Sequence, residues 1–390
     1  MTSAAILNAV QADRVPMTEL TRQLISIPSE NPPGRHYPEA WQLICRHLEQ
    51  IGFEPEVKGA CVLCFVGRGK RTLYFSGHYD VVPAQARAQF QPVLRGKNLF
   101  GRGSSDMKSG LAAMIYAAKA VRDSGVKLDG RIGLVFVPDE ETAGPRGSRY
   151  LEERGLLGKH GIGMLTPEPT GGVVWNANRG AITLKVTVKG KPAHVGRQFE
   201  GVNAFEKMMS LAQELSQLKT EVETRTTGFR IQPRRARSSI LMLGGLTAGG
   251  TNFNVVPDSC WFTIDRRLNP EENLGTEKER LISLISRKGR GDVEIEVLQE
   301  GKSAGVAPDT PLGAALAHSI QRVTKVSPRF EMCPGLLEIR FYADRGLAAY
   351  AYGPGLLTVS HGPKEFVPIE NIVNCSAVYA LTAIDLLQQR

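Results

Sequence analysis

Apolar runs that each end on polar residues able to bind a metal recur along the chain. Leu73-Tyr-Phe-Ser-Gly-His-Tyr-Asp80 reads as a buried strand closing on His78 and Asp80. Arg131-Ile-Gly-Leu-Val-Phe-Val137 reads as a second strand, and Pro-Asp-Glu-Glu follows it, which places Glu140 and Glu141 just past its end. Met164-Leu-Thr-Pro-Glu-Pro-Thr170 sets Glu168 between two prolines on stiff backbone, and Leu356-Leu-Thr-Val-Ser-His361 closes on another histidine. Helical spacing fills the gaps. It predicts a helical opening over 13–27 and a helix over 39–51 with Trp41, Ile44, Cys45 and Leu48 along one side. A strong helix former over 111–120 is entered through the glycine-rich turn Gly101-Arg-Gly-Ser-Ser-Asp-Met-Lys-Ser-Gly110, which carries Asp106. This alternation predicts an α/β domain with a mainly parallel sheet, a fold that places its sites at the carboxyl ends of the strands.

The pattern changes after Trp175-Asn-Ala-Asn-Arg-Gly180. Ala181-Ile-Thr-Leu-Lys-Val-Thr-Val-Lys189 alternates apolar and polar residues, as a strand with one wet face does. An amphipathic helix is predicted over 202–218, with Ala204, Phe205, Met208, Met209, Leu211, Ala212 and Leu215 on its apolar side. Two strands follow near 239–245 and 260–265, then a helix near 272–286 and a strand at Val293-Glu-Ile-Glu-Val297. The β-α-β-β-α-β order describes a two-layer α+β, ferredoxin-like domain. It is expected over 180–300, inserted between the two parts of the first domain, 1–179 and 301–390.

Composition changes this picture little. With 390 residues, 42% of them hydrophobic, the chain can fill two cores. No apolar stretch is long enough for a bilayer, and the N-terminus lacks the basic start of a signal peptide, so a cytoplasmic protein with no membrane partner is expected. Six cysteines are few, and Cys61 and Cys64 read as structural thiols in a strand. The net charge of +9 raises the question of nucleic acid. Its densest cluster, Arg230-Ile-Gln-Pro-Arg-Arg-Ala-Arg237, has no interleaved aromatics and reads as a solvated loop, so no nucleic-acid partner is expected. A basic surface also steers anionic substrates.

Candidate chemistry comes from the strand ends taken together. A lone His and Asp near a strand end usually make a surface hydrogen bond, and Asp106 alone would pass for a helix cap. A phosphate loop is excluded at 101–110, because the Gly-Lys-Ser/Thr ending is missing. His78, Asp106, Glu141, Glu168 and His361 together form a nitrogen and carboxylate ligand set without thiolates, which suits zinc or a related divalent metal in an open catalytic site. Five ligands exceed the needs of one four-coordinate ion that keeps a water, but they serve two ions if one carboxylate bridges. Three carboxylates and one hydroxide balance the charge of two divalent cations. Asp80 is placed to hold the other nitrogen of His78. Glu140 is left over, and the inventory is that of a di-metal hydrolase.

These motifs resemble the zinc aminoacylase and exopeptidase family that includes acetylornithine deacetylase, succinyl-diaminopimelate desuccinylase, aminoacylase and glutamate carboxypeptidase. The resemblance runs from Leu24-Ile-Ser-Ile-Pro-Ser-Glu-Asn-Pro-Pro33 to the C-terminal helix. It implies two Zn2+ per subunit, with Co2+ or Mn2+ as substitutes, and an inserted domain that serves as lid and homodimer interface. By resemblance His78 and Glu168 hold one ion, Glu141 and His361 the other, and Asp106 bridges. Asp80 orients His78, and Glu140 is the general base. His194, in Lys191-Pro-Ala-His-Val-Gly196, matches a histidine that stabilises the oxyanion in the partner subunit's site. Asn254 in Gly249-Gly-Thr-Asn-Phe-Asn-Val-Val-Pro257, Arg267 in Asp265-Arg-Arg267, Arg179 in Asn-Arg-Gly, and Arg340 match substrate-facing positions.

One stretch departs from the family pattern. Where relatives often read Gly-Thr-Asp-x-Arg, this chain reads Pro334-Gly-Leu-Leu-Glu-Ile-Arg340, with leucine at the hydroxyl position. A doubly charged substrate needs donors there, so the expectation shifts from a desuccinylase towards a deacylase of N-acyl amino acids resembling acetylornithine deacetylase. A dipeptidase or carboxypeptidase acting on short peptides shares every metal residue and stays open. A non-catalytic binding protein of the same fold has no use for Glu140.

Overall fold

The computed structural model describes residues 3–389. In chain order its main elements begin with α1 (Ser3–Ala12), α2 (Arg14–Ile25), α3 (Tyr37–Gln50), β1 (Pro55–Lys58), β2 (Cys61–Arg68), β3 (Thr72–His78) and α4 (Lys108–Asp123). Next are β4 (Gly130–Val137), β5 (Gly161–Thr166), β6 (Val174–Asn178), β7 (Gly180–Lys189), α5 (Ala204–Val222), β8 (Ile240–Gly249) and β9 (Ser259–Leu268). The chain ends with α6 (Leu274–Gly289), β10 (Val293–Gly301), α7 (Pro311–Thr324), α8 (Ile339–Ala343), β11 (Ala349–Ala351) and α9 (Ile369–Leu387). Two compact units result. One holds the residues up to 176, 306–331 and those from 337 onward; the other holds 177–305 and 332–336.

The first unit is built on a sheet in the order β1-β2-β4-β3-β5-β11-β6. Its centre is parallel, with β3 between β4 and β5 and β11 beside β5, while β1, β2 and β6 pair antiparallel at the sides. Every residue of β3 is buried, which explains its unbroken apolar run. The main core gathers Leu73 and Phe75 of β3, Leu134 and Phe136 of β4, Leu111 and Ile115 of α4, and Ile372 and Val378 of α9. Alanines at 112, 113, 117, 118 and 120 favour the α4 helix and let it pack closely, and all five are buried. Gly110 in its first turn is needed for contact, because a Cβ there would lie 2.6 Å from the Pro167 carbonyl oxygen. That approach seats the helix entrance against the loop carrying Glu168.

The helical opening differs from the expectation over 13–27. Helix begins at Ser3, is interrupted at Asp13 and ends at Ile25. Ile6 and Val10, four apart and therefore on one face, both enter the core and hold α1 in place.

The second unit is an antiparallel sheet in the order β8-β9-β7-β10, with α5 and α6 following the β-α-β-β-α-β sequence. Alternate residues Ile182, Leu184, Val186 and Val188 of β7 meet Leu211, Leu215 and Leu218 of α5 and Leu281 and Ile285 of α6. The buried stripe of α5 is Ala204, Leu211, Leu215, Leu218 and Val222, so Phe205 and Met209 turn outward, contrary to the predicted apolar side. Their spacing fits a helix face, but not the one that meets the sheet. No helix among the described residues is long and apolar enough to cross a membrane. All six cysteines are buried, and none forms a disulfide.

Candidate metal centre

Parallel pairing sets the carboxyl ends of β4, β3, β5 and β11 along one edge of the sheet. The register pairs His78 with Val137, Phe75 with Leu165, and Ala351 with Thr166. Loops leaving those ends therefore bring His78, Glu140, Glu141 and Glu168 to one place. Asp106 arrives from the turn before α4 and His361 from the loop after β11. The two outer loops are tied by Ser105, whose Oγ donates to the Leu356 carbonyl (3.1 Å) and accepts from its N–H (2.6 Å).

Two overlapping groups of side chains result. His78, Asp106 and Glu168 form one and Asp106, Glu141 and His361 the other, with the ligand atoms of each group all within 4.8 Å of one another. His361 Nε2 lies 3.3 Å from Asp106 Oδ2 and 3.2 Å from Glu141 Oε2, and His78 Nε2 lies 3.3 Å from Asp106 Oδ1. In the first group, His78 Nε2, Asp106 Oδ1 and Glu168 Oε1 are buried with no hydrogen-bond partner. Buried polar atoms are rarely left so, and three facing one another mark a place for a cation. The donor set fits two divalent ions sharing Asp106.

Electrostatics agree. Burial is the largest influence on each carboxyl group. It pushes Glu168 up to about 8, with Asp106 adding to the effect. It also raises Glu141, and lifts Glu140 well above the usual carboxylate range against the pull of His78. Asp106 is the exception, because the imidazoles of His361 and His78 outweigh its burial and hold it below the usual range. His361 is pushed up to about 11 by Asp106 and Glu141. Burial presses His78 down, yet Asp106, Asp80 and Glu140 overcome it and leave it well above the ordinary imidazole value. Without cations, so many carboxylates keep their place only by retaining protons or pairing with imidazolium.

The supporting residues were only partly legible in the sequence. Asp80 does stand beside His78, but its backbone carbonyl is the closer contact to His78 Nδ1 at 3.0 Å, with the carboxylate at 3.4 Å. That carboxylate accepts from Asn31 Nδ2 at 2.9 Å and from the N–H groups of Glu140 and Glu141, both at 3.3 Å, so Asp80 also holds the Glu140 turn. Asp139 went unread. It has a left-handed backbone (φ 64°) and accepts from Tyr37 Oη (2.8 Å) and from the Arg146 backbone N–H (3.0 Å), Nε (2.9 Å) and Nη2 (2.8 Å). This fixes the residue before Glu140. Buried Lys108 caps the end of α2, donating to the carbonyls of Leu24 (2.8 Å) and Ile27 (2.7 Å).

The candidate substrate residues are placed as follows. Arg340, buried in the first unit, donates to the Leu337 carbonyl at 2.7 Å and lies 3.5 Å from Glu338. Burial pushes Glu338 up to about 7, and its Oε2 has no hydrogen-bond partner. His194, Asn254, Arg267 and Arg179 belong to the second unit. His194 is exposed, and its loop pairs with that of Asn254 through Val195 N–H to the Asn254 carbonyl at 2.9 Å. Arg267 makes a fork to Asp265, with Nε to Oδ1 at 2.6 Å and Nη2 to Oδ2 at 2.9 Å. Arg179 is buried; its Nη2 donates to the Ala236 carbonyl, while Nε and Nη1 have no partner.

Residues 74–385 match Peptidase family M20/M25/M40. The fold is similar to that of the di-peptidase Dug1p from Saccharomyces cerevisiae, with a TM-score of 0.79 and 17% identity over 98% of each chain. It is similar also to the M20 family metallo-carboxypeptidase Sso-CP2 from Sulfolobus solfataricus, with a TM-score of 0.81 and 16% identity over 94% of this chain and 98% of the other. The Bacillus subtilis YXEP protein, a dinuclear metal binding peptidase, gives a TM-score of 0.69 and 17% identity over 97% of this chain and 99% of its own. The family match spans most of the 390 residues, and the chain belongs to peptidase family M20/M25/M40 and is a metal-dependent amide hydrolase.

Proposed function

We propose that the protein hydrolyses the amide bond of an N-acyl amino acid, as a deacylase resembling acetylornithine deacetylase, with two zinc ions that cobalt or manganese can replace. The observation that carries this reading is the trio of buried atoms without partners, His78 Nε2, Asp106 Oδ1 and Glu168 Oε1, joined through Asp106 to Glu141 and His361. His78 and Glu168 would hold one ion, Glu141 and His361 the other, and Asp106 both. When bound, the ions would acidify a water and polarise the scissile carbonyl.

The chain's own residues would do the rest. Glu140 lies with Oε2 3.8 Å from His78 Nε2. It is not among the proposed ligands, and the imidazole it faces, His78, would be engaged by the ion, so Glu140 would be free to take the proton of the attacking water and return it to the leaving nitrogen. Its burial makes it a stronger base than an exposed carboxylate. Asp80 would keep His78 in one tautomer, with Nδ1 protonated and Nε2 free. His194 would donate to the developing oxyanion. Arg179 offers two unsatisfied N–H groups to a substrate carboxylate, with Asn254, Arg267 and Arg340 as further contacts. The second unit would serve as lid and as homodimer interface. The outward Phe205 and Met209 and the exposed Met242 and Leu246 of sheet-edge strand β8 support a second copy there.

Structural similarity to a di-peptidase and a carboxypeptidase favours short peptides as a second substrate class. The deciding experiment compares zinc-loaded and chelated protein on N-acetyl, N-succinyl and N-formyl amino acids and on dipeptides. Faster metal-dependent cleavage of one acyl amino acid supports the deacylase. Faster dipeptide cleavage replaces it with an exopeptidase.

A further inference from the structure

A buried ion pair joins the two outer loops of the metal centre. Glu365, four residues after His361, turns its carboxylate into the glycine-rich turn before α4. Its Oε1 accepts from the backbone N–H groups of Gly103 (3.0 Å), Ser105 (2.9 Å) and Asp106 (3.1 Å), and its Oε2 accepts from Arg102 Nη1 at 2.5 Å. Both side chains are 1% exposed. Arg102 reaches back the other way, with Nη2 donating to the His361 carbonyl at 3.1 Å and to Gln85 Oε1 at 2.9 Å. Gln85 Nε2 donates to the same His361 carbonyl at 2.9 Å, and Gln89 Nε2 to the next carbonyl, Gly362, at 3.1 Å.

This arrangement holds His361 where a free chain would not. His361 has φ of 64°, a left-handed conformation costly for a residue with a Cβ, and two side-chain donors fix its carbonyl there. A buried ion pair gives little net stability, because desolvation offsets the attraction. What it supplies here is geometry. One carboxylate fixes the backbone N–H of Asp106, and the guanidinium paired with it fixes the backbone carbonyl of His361.

We infer that Arg102 and Glu365, with Gln85, form a positioning clamp that sets the spacing of Asp106 and His361 for the ion these residues share with Glu141. The inference rests on the reading of that trio as a metal site. The clamp residues touch neither substrate nor ion, and they act through the two ligands.

Two variants test it, Gln85→Ala at an exposed side chain, and Glu365→Gln, which removes the buried charge at nearly constant shape. Zinc is titrated stepwise against a chromophoric chelator, the visible spectrum of the cobalt-substituted protein is recorded, and the metal-free melting temperature is followed. Glu365→Gln, acting through the shared Asp106 as well as His361, should weaken the second zinc about tenfold or more and the first zinc less, whereas Gln85→Ala, acting through His361, should weaken the second several-fold with the first little changed; both should alter the cobalt spectrum of the second equivalent. In a His361→Ala background, Gln85→Ala should add nothing, whereas a merely structural role would lower melting temperature without this selectivity. Unchanged second-site affinity in Gln85→Ala overturns the clamp, as does an equal effect with and without His361. Should Glu365→Gln fail to fold, Gln85→Ala decides. A wild-type protein that binds one zinc only, or His361→Ala with full second-site affinity, overturns the metal-site reading itself and the clamp with it.

Discussion

Replacing Glu168 by glutamine should stabilise the metal-free protein and weaken the loaded one. Glu168 is 3% exposed, and burial pushes its carboxyl from 4.5 up to about 8. A carboxyl whose folded pKa lies above its unfolded value binds its proton more tightly when folded, so stability falls as pH rises between those values. From pH 4.5 to 7 the loss accumulates to about 3 kcal/mol at ~1.36 kcal/mol per pH unit. By pH 5 it is under about 1 kcal/mol. Glutamine removes the titration at nearly constant volume, and Oε1 has no hydrogen-bond partner to lose. Chelated Glu168→Gln should therefore outlast chelated wild type at pH 7 by up to about 3 kcal/mol, and the gap should nearly close at pH 5. Zinc should invert the order, since every tenfold loss of affinity removes about 1.4 kcal/mol of ligand stabilisation. Urea unfolding of chelated and zinc-loaded protein at both pH values reads all four cases. A chelated variant no more stable than wild type at pH 7 refutes the account of these carboxylates as a cation site crowded with like charge.

Three further outcomes are expected. Glu140→Gln should retain both metals by elemental analysis and lose kcat by a factor on the order of 10²–10⁴, so near-normal turnover would remove Glu140 as the base. Zinc loading at pH 6–7 should release at least about two protons, because His361 near 11 and Glu168 near 8 both carry protons in the metal-free protein. Affinity for the ion pair should then rise with pH, at least about a hundredfold per pH unit, and a weakly buffered titration without proton release would contradict this. Arg146→Met strips two donors from Asp139, whose side chain is 2% exposed; because Arg146 itself is 46% exposed, the expected stability loss is modest, about 1–3 kcal/mol. The shifted Glu140 should cost kcat roughly ten- to a hundredfold at unchanged metal content, which steady-state kinetics with metal analysis would check.

The sequence displayed most of the candidate centre because the proposed ligands follow local rules. His78, Glu140 and Glu141 stand directly after apolar strands, and Glu168 between prolines, so adjacency along the chain pointed to adjacency at the sheet edge. Asp139, Arg102, Glu365 and Asn31 follow no such rule. Asn31 meets Asp80 49 positions away, and Arg102 meets Glu365 across 263, distances over which one chain carries no pairing signal. Asp139 was further masked by the two glutamates beside it. In α5 the sequence offered apolar residues on more than one face, and the sheet alone decided that Leu218 and Val222 would be buried and Phe205 exposed. The short segment 332–336, which joins the second unit from within the returning chain, has no compositional mark at all.

Substrate choice is a question about cations rather than about ligands, since a deacylase and a peptidase need the same metal centre. Three arginines were candidates, and their surroundings separate them. Arg267 has its Nε–Nη2 edge occupied by Asp265, so a substrate carboxylate would have to compete for that edge with a bidentate pair already formed. Arg340 donates within its own turn and lies beside Glu338, a carboxyl that would repel an anion once ionised. Arg179 alone of the three is buried with two donors unmet, a costly state for a guanidinium unless an anion completes it. An N-acyl amino acid and a peptide with a free C-terminus both bring such a carboxylate, and a neutral amide does not. Arg179→Met should therefore raise KM for carboxylate-bearing substrates far more than for their amidated forms. Equal losses on both would move the anion site to another cation.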